Sequence, residues 1–81
     1  MIWRDDIDSL AFQPAGHEGF CMVHRLALRT LLGHVPVPAE CLAYFAANQA
    51  RFEEAASRKV AARRLAAGDN FHLTSRDIEG Q

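Results

Sequence analysis

A chain of 81 residues with a formal net charge of −1 has room for one hydrophobic core, which excludes a second independently folding domain. Apolar residues make up 49% and charged residues 23% of it, a balance that opposes disorder and gives no global attraction to nucleic acid or an anionic membrane. Cys21 and Cys41 are too few for the disulfide framework of a secreted mini-domain. Met1–Asp6 lacks the apolar stretch of a signal peptide, and the longest apolar run, Cys41–Ala47, is too short to span a bilayer. These features point to a cytoplasmic protein with free thiols and no membrane association.

The first element is a strand over Ile7–Phe12, where Leu10 and Phe12 share a face before the turn residues Pro14-Ala15-Gly16. After Gly19, Phe20–His24 is rich in β-formers and reads as a second strand, joined to the first as a hairpin. A short helix begins near Arg25, with Leu28, Leu31 and Leu32 at spacings of three and four, and stops at Gly33. Pro36 and Pro38 cannot continue it, but Pro38 suits the first turn of a new helix, with Glu40 placed favourably for the dipole. From Ala39 to Ala67 there is neither glycine nor proline and 11 positions are alanine, so one long helix is expected. Phe71–Thr74 alternates as a third strand, and Ser75–Gln81 adds a frayed turn. The expected fold is α+β in ββααβ order, a three-stranded antiparallel sheet packed against one short and one long helix, within a single small domain over 1–81.

Such a helix would be about 43 Å long at 1.5 Å per residue, whereas a compact chain of this size is roughly 30 Å across. Either it bends near Ala47-Asn48-Gln49, or its apolar stripe packs on a second copy. Without proline or glycine to mark a kink, the homodimer is favoured, with Leu42, Phe45, Phe52, Ala56 and Val60 as its face and an unidentified protein partner as a further occupant.

The strand ending in Phe12, the passage Cys21–Leu28, the segment from Tyr44-Phe45 through Asn48 to Phe52–Ala56, and the strand Phe71–Thr74 resemble a short bacterial family, domain of unknown function 1488. That resemblance implies a small ββααβ-like domain and brings no activity, ligand or catalytic residue.

Candidate chemistry is sparse. His17-x3-Cys21-x2-His24, with His34, Cys41 and His72, has zinc-ligand residue types, but Cys21 and His24 would point to opposite faces of a strand. Core cysteines and surface or capping histidines are the plainer reading. Cys41, in the first turn of the long helix, is a candidate for a lowered thiol pKa, or is simply buried. Arg51, Arg58, Lys59, Arg63 and Arg64 form a candidate anion or nucleic-acid face, with Arg25 and Arg29 as a second pair. The competing reading is a solvated face partly matched by Glu53 and Glu54, without aromatic stacking groups. His72, Thr74 and Ser75-Arg76-Asp77 read more simply as a solvent face leading into a cap than as a ligand cluster. No nucleophile, base and orienting group are placed together and no cofactor motif occurs. The leading expectation is a non-enzymatic interaction or regulatory module, with nucleic-acid binding through the arginine face as the alternative.

Overall fold

Alternating apolar side chains build one sheet. The computed structural model describes residues 1–80 and places β1 (Ile2–Arg4), β2 (Ser9–Phe12), β3 (Cys21–His24) and β4 (Phe71–Leu73) in the order β1-β2-β3-β4. A 3₁₀ turn over Asp5–Ile7 joins the first two strands and ends at Asp8 in the left-handed region. The register sets Leu10 opposite Val23 and Phe12 opposite Cys21, then Cys21 opposite Phe71 and Val23 opposite Leu73. These six side chains therefore share a face, and all belong to the core. Four helices follow in chain order: α1 (Arg25–Leu32), α2 (Pro38–Ala47), α3 (Gln49–Arg63) and α4 (Ser75–Glu79). Leu28, Cys41, Phe45, Phe52, Ala55, Ala56 and Ile78 bring them onto the same core.

The α+β class is as expected, but the sheet is four-stranded and mixed rather than three-stranded and antiparallel. β1 is the added strand; at three residues it carries too little periodicity to register as one. β4 runs parallel to β3, because α1, α2 and α3 return the chain to the end from which β3 started. A parallel pair requires such a crossover.

The long helix is broken, which corrects the preference for a continuous one. Asn48 leaves helical geometry at φ −127° and ψ 25°. Its side-chain Nδ2 donates to the Tyr44 carbonyl at 2.9 Å, and its backbone amide donates instead to Phe45 at 3.1 Å. In a regular helix the Tyr44 carbonyl would have taken that backbone amide. The asparagine side chain thus displaces its own main chain, a local competition open to short polar residues. At the far end α3 stops at Arg63, four residues before Ala67, with Arg64 left-handed and the Leu65 amide returned to Val60. The two pieces are about 15 and 23 Å long and fit within a body of 33 × 27 × 19 Å.

The end of the chain is more firmly held than a frayed turn. Thr74 caps α4: its Oγ1 accepts from the Asp77 amide at 3.2 Å, while Asp77 Oδ2 accepts from the Thr74 amide at 2.8 Å. The same carboxylate pairs with Lys59 of α3 at 2.8 Å, the two side chains being 18% and 28% exposed for Lys59 and Asp77 respectively. Ile78 is buried beneath; Gln81 lies outside the described residues.

Burial alone would raise the Asp77 pKa, but hydrogen bonds from Lys59 and Thr74 outweigh it and hold the carboxyl below its ordinary value. A pKa depressed in the folded state means stability that is fully present above the unfolded value of about 3.9 and is lost as pH falls through the folded value. We expect Asp77→Asn to be less stable than the parent at neutral pH, with the difference shrinking in acid. Urea midpoints measured from pH 7 down to about pH 2 check this, and a constant difference across that range contradicts it.

Candidate functional site

The face expected to carry a dimer is the chain's own core. Phe45, Phe52 and Ala56 are buried, and Leu42 and Val60 pack against the same cluster. Phe12, Phe45 and Phe52 stack with centroids 4.8 and 5.1 Å apart for Phe12–Phe45 and Phe45–Phe52. The break at Asn48 folds the two halves of the stripe onto one sheet, with Leu42 and Val60 partly buried at its margins.

The cations of the second candidate face are divided among internal partners. Arg51 donates to the Tyr44 hydroxyl at 3.0 Å. Arg58 pairs with Glu54 at 2.8 Å and donates to the Asp77 carbonyl at 2.9 Å, and Lys59 is held by the Asp77 carboxylate. Arg58, Lys59 and Arg63 do come together, with Asp77, around a cavity of about 170 Å³. Of the five, Arg63 and Arg64 make no side-chain hydrogen bond or ion pair among the described residues. Arg25 belongs to another region, where it pairs with Asp8 at 3.1 Å.

Both thiols are free and buried. Burial pushes Cys21 up to about 12 and also raises Cys41, where loss of solvent outweighs the lowering effect of the nearby Arg25 charge. Three histidines have simple surroundings. His24 caps α1, its Nδ1 accepting from the Leu26 amide at 3.0 Å, and His34 meets Glu40 at 2.9 Å. His72 is exposed on β4. Cys21 therefore lies in the core while His24 serves a cap, and among the described residues no three His, Cys, Asp or Glu side chains converge. Thr74 and Asp77 form the cap of α4, with Ser75 and Arg76 inside its first turn.

Comparison with protein-family models, curated proteins and solved structures returns no match. The resemblance to domain of unknown function 1488 accordingly stays a reading of the sequence.

Two features went unnoticed in the sequence. The first is a seam between residues 17–20 and 67–70. The amides of Glu18 and Gly19 both donate to the Ala67 carbonyl, at 2.8 and 3.1 Å, and the Phe20 amide donates to Asn70 Oδ1 at 2.8 Å. His17 Nε2 donates to the Asp69 carbonyl at 2.7 Å. The seam joins segments about fifty residues apart, so no local pattern could announce it; the glycines were the only hint.

The second is the sheet face opposite the helices. Strand alternation and register place Ile2, Ala11, Met22 and His72 in one row across it. Phe20, one step before β3, falls on the same side as Met22 by alternation. Ala11 and Met22 are buried at 4% and 9% exposure yet are not part of the core cluster. Ile2 and Phe20 are 58% and 50% exposed. This face therefore carries two large apolar side chains in water, Ile2 and Phe20, beside the largely covered Ala11 and Met22.

Proposed function

We propose that the chain is a small non-enzymatic interaction module that pairs with a second copy of itself through the outer sheet face. The observation that carries this reading is the exposure of Ile2 and Phe20 beside Ala11 and Met22. Large apolar groups gathered on one side of a sheet gain by leaving water. The choice of a second copy follows from charge. Among the described residues Arg4 is the strand arginine on this face, and it pairs with Asp6 at 2.6 Å, so two such faces meet without like-charge repulsion and offer an acidic or basic partner little to recognise. A two-fold contact uses the same patch twice, which suits a self-complementary apolar surface.

Sedimentation equilibrium from about 1 to 100 µM tests it. The parent chain is expected to move from monomer to dimer over that range. Phe20→Glu should remain monomeric with an unchanged circular dichroism spectrum, because the side chain is half in solvent. Val35→Glu, which alters a more exposed apolar residue outside the sheet, should dimerise like the parent. A monomeric parent at the highest concentration, or a Phe20→Glu variant that still dimerises, rejects the outer face.

A further inference from the structure

His17 is the buried histidine among the described residues, at 8% exposure. Its Nε2 contacts the Asp69 carbonyl oxygen at 2.7 Å. A carbonyl only accepts, so Nε2 bears the proton and Nδ1 keeps an in-plane lone pair. Nδ1 has no hydrogen-bond partner among the described residues. No fully buried side-chain nitrogen or oxygen among them lacks a partner, so this atom opens outward although the residue as a whole is 8% exposed. The ring is fixed in that attitude by the Asp69 bond and by an edge-on contact with Phe71, centroids 5.3 Å apart at 85°.

The imidazole forms part of the wall of a cavity of about 270 Å³ between the 14–17 loop and α3. Glu53 and Ser57 line it with His17, and Val60 and Ala61 give it an apolar surface. Glu53 Oε1 accepts from the Ala15 amide at 2.9 Å, which leaves Oε2 without a protein partner among the described residues. The polar side chains among the lining residues are an imidazole, a carboxylate and a hydroxyl, and no lysine or arginine lines the cavity.

We propose that this cavity binds a primary ammonium group on a short hydrocarbon stem. Such a head has three N–H donors and a positive charge, matching acceptors at His17 Nδ1, Glu53 Oε2 and Ser57 Oγ, while the stem lies along Val60 and Ala61. An anion would meet the Glu53 charge with no cation to offset it. A divalent metal would find two strong ligands where stable protein sites provide three or more. The head belongs equally to a free amine or to the lysine side chain of another protein, and the cavity recognises the chemistry the two share. None of the outer-face residues takes part, so this site stands or falls independently of self-association.

The test is the ¹⁵N spectrum of the imidazoles in the labelled chain, titrated with n-butylammonium chloride, with tetramethylammonium chloride and zinc chloride as comparisons. The expected result is a saturable shift of the His17 Nδ1 signal with a Kd of about 1 mM, the range open to a ligand of few heavy atoms. Glu53→Gln, which keeps an oxygen for the Ala15 amide, should weaken it at least about tenfold, and His17→Phe should abolish it. A blocked tripeptide with a central lysine forms a second arm. Equal binding assigns the site to lysine side chains, and binding of butylammonium alone assigns it to free amines. No saturation by about 50 mM butylammonium, an equal shift with tetramethylammonium, or a response to zinc alone overturns the proposal. Because Glu53→Gln leaves the His17–Asp69 bond in place, unchanged affinity in that variant also overturns it, whatever the folding of His17→Phe.

Discussion

Phe52→Ala is expected to destabilise the fold by about 3–5 kcal/mol, the range for removing a fully buried aromatic side chain. Phe52 is 0% exposed and touches Phe45, Phe12 and Tyr44 at centroid distances of 5.1, 6.4 and 6.0 Å. It sits in the first turns of α3, just past the break at Asn48, so it joins α2, α3 and the sheet in one contact. Collapse around the void is restricted, because its aromatic neighbours are held by two different elements, α2 and β2. A domain of this size has roughly 4–12 kcal/mol of total stability, and the change should lower the melting temperature by roughly 15–30 °C. Urea denaturation followed by circular dichroism measures it; a loss below about 1 kcal/mol would mean that the aromatic cluster contributes far less than its burial implies.

Gly19→Ala is expected to be nearly as damaging, at about 3 kcal/mol, the upper end for overpacking. A Cβ there would fall on the Asp69 carbonyl oxygen, with the Asp69 carbonyl carbon at 2.6 Å and the Gly68 oxygen at 2.8 Å. These are backbone atoms and cannot rotate aside as a side-chain tip does. The seam must open, which strains the bonds from Glu18 and Gly19 to Ala67 and from His17 to Asp69. Gly16→Ala separates space from conformation: Gly16 has φ +75° and nothing within 4 Å of an added Cβ, so only the left-handed backbone opposes it, at about 1–2 kcal/mol. Thermal melts of the two variants should therefore rank Gly19→Ala as the less stable. The reverse order would show that the close approach of the two segments relaxes readily.

Loss of the seam also bears on the proposed ammonium site, since the Asp69 carbonyl sets the His17 tautomer. A folded Gly19→Ala variant should bind butylammonium more weakly without any change in the cavity's own residues.

The sequence is informative where one residue's neighbours along the chain decide its state. Alternation of Leu10 and Phe12, or of Phe71 and Leu73, identifies inward faces of strands, and Gly33 with Pro36 and Pro38 ends one helix and begins the next. Apolar spacing also identified Leu42, Phe45, Phe52, Ala56 and Val60 as a coherent stripe. It did not say whether that stripe faces its own sheet or a second molecule, because periodicity records a shared face and is silent on what covers it. The decisive residue was Asn48, whose side chain takes the Tyr44 carbonyl from its own amide. Its short polar side chain between Ala47 and Gln49 is a weak signal, and helix propensity alone favours running through.

Charge shows the same division. The spacing of Arg51, Arg58, Lys59, Arg63 and Arg64 gives a basic stripe on paper, yet Lys59 and Arg58 meet Asp77 from a helix some eighteen residues further on. Sequence by itself determined the α+β class and the inward faces of the strands at Leu10, Phe12, Phe71 and Leu73, since these follow from burial of apolar groups at two fixed periods. Tertiary structure decided the parallel placement of β4, the break in the helix, the pairing of the cations and the cavity at His17. Each of these depends on groups distant in the chain, where the energy of a contact is set by geometry that no local pattern encodes.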